Sequence, residues 1–106
     1  MKLKKIAKDR VGKVLEEGNI IHCGVGDYLA VIRAIVQPSR DELPYLRVTK
    51  VMTDWKGKNP KVSQSTMHFD DYKLCRIIDP ALLRDDVESH VRIKKIREQS
   101  VIGKGK

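Results

Sequence analysis

Residues 28–36 read YLAVIRAIV. Alternate side chains of an extended chain point to opposite sides, so Tyr28, Ala30, Ile32, Ala34 and Val36 make one wholly apolar face, with Leu29, Val31, Arg33 and Ile35 on the other. A strand apolar on both sides belongs in the middle of a sheet, covered on each face by a helix or by the sheet's own curvature. The run therefore predicts an α+β fold leaning mainly β, and it makes Arg33, its single charge, the unusual member.

On the N-terminal side, Ile20–Cys23 is a short apolar run, and the glycines of Gly24–Asp27 suit the positive φ angles of a hairpin leading into YLAVIRAIV. Before it, Leu3, Ile6, Ala7, Val11, Val14 and Leu15 recur at helical spacing while Lys2, Lys4, Lys5, Lys8 and Lys13 fall largely elsewhere on the wheel. This predicts a basic amphipathic helix over residues 1–18. Gly12 weakens such a helix by about 1 kcal/mol relative to Ala, and the alternative is two strands around the EEGN turn, one of them beginning at Arg10.

On the C-terminal side, QPSRDELP (37–44) is a loop by its prolines and charges. LRVTKVMTDW then alternates, with Leu46, Val48 and Met52 opposed to Arg47, Thr49, Val51 and Trp55. KGKNPK is the next turn, VSQSTMHF an edge strand and DDYKLCRII a last strand. Asp79-Pro80 reads as an N-cap followed by proline at the first helical position. Leu83, Val87 and Val91 follow at four-residue steps, predicting a helix over 79–98. The expected layout is one domain: helix 1–18, a four- to five-stranded antiparallel sheet over 19–78, helix 79–98 and a basic flexible tail 99–106. Consecutive short strands of this kind curl readily into a small, partly open barrel of SH3-like or OB-like character. An open sheet with both helices on one face is the alternative.

The chain has 106 residues, 41% hydrophobic and 34% charged, with a formal net charge of +8. That composition is globular, and five aromatic residues leave the core mostly aliphatic. Cys23 and Cys75 are too few for a secreted disulfide scaffold and lack C-x-x-C spacing, so reduced thiols in the cytoplasm are expected. No apolar run approaches the roughly 20 residues of a membrane helix, and no apolar stretch with a cleavage site follows Met1. Neither membrane insertion nor export is expected.

HCGVGDY (22–28) invites metal, Cys-His and phosphate-loop readings. Zinc ligands come paired as C-x2-4-C or H-x3-5-H, which His22, Cys23, His68, Cys75 and His90 do not provide. Strand neighbours point apart, which separates His22 from Cys23 as a catalytic pair. The glycines lack the third member and the following helix of a dinucleotide loop. Asp54-Trp55-Lys56 matches only the D-x-K end of a metal-dependent nuclease core. No cofactor and no metal are expected.

Binding remains. DWKGKNPK (54–61) sets Trp55 beside Lys56, Lys58 and Lys61 in a surface turn, and an aromatic ring among cations is the chemistry of single-stranded nucleic-acid contact. Arg33, Arg47, Tyr45 and Tyr72 are expected on the neighbouring sheet. The basic ends, Lys4, Lys5 and Lys8 in one helix and Arg92, Lys94 and Lys95 in the other, are expected to grip a phosphate backbone. The expected function is a small, non-enzymatic module that binds RNA or DNA. The alternatives are a protein-interaction module docking on an acidic protein partner and a small-barrel ribonuclease.

Overall fold

The computed structural model describes residues 6–24, 26–39, 41–53 and 58–104. Strands β1 (Ile20–Cys23), β2 (Tyr28–Val36), β3 (Tyr45–Met52), β4 (Lys61–Met67) and β5 (Cys75–Ile78) form one antiparallel sheet in the order β4-β3-β2-β1-β5. YLAVIRAIV is its middle strand, as two apolar faces require. β4 and β5 stand at opposite edges and do not pair with each other, so the sheet is open.

Each face of the sheet carries its own core. On the first, Ile21, Ala30, Ile32, Leu46 and Val48 pack with Ala7, Leu15 and Tyr72. On the second, Ile20, Leu29, Val31 and Val51 pack with Leu83 and Ile93. The faces do not alternate strictly along β2. Ile32 pairs with Val48 but Ala34 pairs with Arg47, so Arg33 is an extra residue, a β-bulge. The inserted residue shifts the parity: Ile35 packs on the first core together with Ile32, correcting its expected place beside Arg33.

Residues 6–18 are not helical. Lys8 and Val14 make an isolated antiparallel bridge. The turn between them is held by Asp9, whose Oδ1 accepts from the backbone N–H of Val11 (3.0 Å) and Lys13 (2.8 Å) and whose Oδ2 accepts from Ile77 N–H (3.1 Å). Gly12 and Gly18 have φ of +89° and +90°, values that oppose a right-handed helix and that glycine adopts without strain. The EEGN turn does form, with Asn19 Oδ1 accepting from Glu16 N–H at 2.8 Å.

Between β4 and β5 the chain makes a single helical turn, α1 (Phe69–Tyr72), where strand was expected. Tyr72 is wholly buried in the first core, and its hydroxyl donates to Pro44 O at 2.8 Å. Burial pushes this phenol above its ordinary pKa. Asp79 does act as a cap, accepting from Ala81 N–H, but of a 3-10 turn over Pro80–Leu82. The long helix α2 begins later and runs over Glu88–Lys104, through positions expected to be tail. The break follows from Leu83, which turns into the second core, and from Arg84, whose side chain pairs with Asp86 and whose N–H donates to His90 Nδ1 at 2.9 Å. Burial, and then the Arg84 charge, hold His90 below its ordinary pKa and so favour the neutral ring that accepts this bond. α2 lies across β2 and β3, anchored by buried Ile93 and by Arg97 Nε donating to Gly18 O at 2.9 Å.

The cysteines are not free thiols. Cys23 and Cys75 sit directly opposite each other in β1 and β5 and form a disulfide with Cα atoms 4.4 Å apart. The cytoplasmic expectation, which rested on reduced cysteines, loses that footing. Among the described residues no helix is long and apolar enough to cross a membrane.

Candidate functional site

The bulge in β2 lies at a candidate site. A bulge sets two residues of one strand against one of its neighbour, and here Arg33 and Ala34 oppose Arg47. All three line a groove of about 870 Å³ between the β2-β3-β4 face and the C-terminal half of α2. Its walls include Thr49, Gln64 and Thr66 from the sheet and Gln99 from the helix. Arg33 and Arg47 are both exposed, and among the described residues neither has an ion-pair partner. Two guanidinium groups, each with five donors in a planar fork, thus line a trough that mixes hydroxyl and amide groups with the apolar side chains of Val62 and Ile96. The arrangement suits an anionic ligand that also offers hydrogen-bonding edges.

Tyr45 stands two residues before Arg47 and so on the same side of β3. It is half-buried, with its ring centroid 5.7 Å from that of exposed His68. Tyr72, expected on this surface, belongs instead to the core, because α1 turns it inward. By sequence, His68 is weighed among metal ligands, not as part of this surface. Its pairing with Tyr45, and the contributions of Thr49, Gln64, Thr66 and Gln99, depend on a register that spacing alone does not reveal.

The remaining expected residues divide. Trp55 and Lys56, with Lys4 and Lys5, lie outside the described residues. Lys58 and Lys61 are exposed at the end of the β3–β4 connection and the start of β4, and Lys8 is exposed beside its bridge to Val14. Arg92 and Lys95 line a second, smaller cleft of about 480 Å³ that brings α2 to Asn59 and Pro60 of that connection. Asp85, Asp86 and Glu88 line the same cleft, so its charge is mixed. Lys94 is engaged there, donating to Asp85 Oδ1 at 2.8 Å. This hydrogen bond and the lysine charge hold the Asp85 carboxyl below its ordinary range. The basic residues of α2 therefore do not form one uniform strip, and the Arg33–Arg47 groove is the stronger candidate.

HCGVGDY resolves into a strand end and a hairpin. Cys23 is buried in its disulfide, while His22, on the other side of β1, meets Asp27 at 2.8 Å across the turn. Asp27 and Gly26 carry the positive φ angles, 48° and 85°. In comparisons with known proteins, no family model, no curated protein and no solved structure matches the chain.

Proposed function

We propose that the protein binds nucleic acid, RNA or DNA, along the groove between the sheet and α2, without catalysing a reaction on it. The observation that carries this reading is the pair Arg33 and Arg47 lining one groove, exposed and without an ion-pair partner among the described residues, in a chain of net charge +8. Phosphate oxygens would take the guanidinium donors, and unstacked bases would meet the threonine and glutamine side chains and the nearby Tyr45 ring. The reading extends to architecture: filling the first face with residues 7–15 and Tyr72 accords with a sheet curled toward a partly open barrel of SH3-like or OB-like kind.

Fluorescence anisotropy with labelled single-stranded RNA and DNA oligonucleotides at low salt tests it. Binding is expected to weaken linearly in log salt, and Arg33→Ala with Arg47→Ala is expected to weaken it by roughly tenfold per arginine while lowering the salt slope by about 2. Both side chains are exposed, so the double variant should melt like the parent. No binding at low salt, or equal binding by the double variant, would remove the proposal.

A further inference from the structure

The two edges of the sheet are not equivalent. The outer edge of β5 is occupied, because Arg10 N–H donates to Cys75 O at 2.8 Å and Ile77 N–H donates to the Asp9 carboxylate at 3.1 Å. The outer edge of β4 receives no backbone hydrogen bond from any described residue. β4 is seven residues of KVSQSTM, without proline, and its β3 register runs unbroken from Lys61 to Met67, so it has no bulge. Its single charge, Lys61, is at one end, and Val62 is 46% exposed. Edge strands are ordinarily blunted by mid-strand charge, proline or a bulge, because an open row of N–H and C=O groups recruits another strand. None of these devices protects the middle of β4.

We propose that β4 is a self-association edge, where two copies of this chain pair antiparallel across a twofold axis at Gln64 to make a continuous ten-stranded sheet. The strand is complementary to itself in that register: Gln64 meets Gln64, Ser63 meets Ser65, Val62 meets Thr66 and Lys61 meets Met67. No lysine faces a lysine, although like charges directly opposite are what destabilises such a pair. Because the β5 edge is already taken, β4 cannot propagate head to tail onto it. The contact is isologous and closes at two copies. The net charge of +8 on each copy opposes association over a range that salt shortens, so the dimer tightens as salt rises, opposite in sign to nucleic-acid binding. The inference stands independently of the nucleic-acid reading.

Sedimentation equilibrium over a concentration series, on protein freed of nucleic acid, reads the result. A monomer–dimer equilibrium that strengthens with salt is expected. S63K/S65K sets lysine opposite lysine twice and should weaken dimerisation roughly tenfold, whereas S63K/S65E sets lysine opposite glutamate twice and should retain or tighten it. The register has its own readout: under mild oxidation Gln64→Cys should form a disulfide-linked dimer, since opposed Cα atoms lie about 4.5–5.5 Å apart, while Val62→Cys, facing Thr66, should not. A parent that stays monomeric at every concentration and salt, or S63K/S65K and S63K/S65E variants that dimerise alike, would overturn the proposal.

Discussion

Asp9 ties the N-terminal turn to the edge of the sheet. Its carboxylate takes three backbone N–H groups, two from its own turn and one from Ile77, 68 positions away. It is only 6% exposed. Burial alone would raise its pKa, but the bonds from Ile77, Lys13 and Val11, with the Lys13 charge, together hold it below the ordinary 3.8. Asp9→Ala leaves these donors without their acceptor and is expected to cost about 3 kcal/mol in urea unfolding. The sign with pH follows from a folded pKa depressed below the unfolded one. The contribution is whole above the ordinary aspartate value and is lost as pH falls through the depressed one. The gap between parent and variant should therefore close on acidification, and a gap independent of pH would count against this role. None of it was readable from sequence, where Asp9 is one acid among lysines and Ile77 is a distant apolar residue.

At the scale of elements, legibility followed the locality of the cause. The middle strand was readable because two apolar faces have only one place in a sheet, and the edge character of β4 because its polar residues need no cover. The N-terminal segment misled because apolar residues three and four apart also arise when a chain folds back on itself, and Gly12 and Gly18, both at positive φ, were the better guide. The Arg33–Arg47 site was half legible: Arg33 stood out as the single charge of its apolar strand and Arg47 was expected on the same sheet, but the groove that α2 closes over them depends on where the helix packs. α1 was missed because FDDY is too short to show a period, yet it carries the largest of the fully buried side chains, Tyr72. Tyr72→Phe keeps the ring and strands Pro44 O, and should lower stability by about 1–2 kcal/mol. Tyr72→Ala also empties the site and should cost about 4 kcal/mol. Equal stability of the phenylalanine variant and the parent in urea would show that the hydroxyl bond contributes nothing.

For the whole molecule, the decisive covalent fact is the bond between Cys23 and Cys75, which ties β1 to the strand that completes the sheet, 52 positions later. Sequence composition pointed the other way, since two cysteines without motif spacing read as thiols, and only the β1–β5 register places them face to face. A cross-link spanning this much chain restricts the unfolded ensemble by about 4 kcal/mol on the loop-entropy account. In a chain of this size that corresponds to roughly 15–20 °C in Tm. Reduction with a dithiol, or the Cys23→Ser/Cys75→Ser pair, should lower Tm by this order, and calorimetry of oxidised and reduced protein measures it directly. Coincident melts would mean that the sheet's noncovalent pairing already does the work of the cross-link. A large difference would make stability depend on the redox poise of the surroundings. Both sulfurs belong to buried residues, 3% and 0% exposed, so reduction should then wait on opening of the β1–β5 edge and be slowed by whatever stabilises it, the Asp9 bond to Ile77 above all.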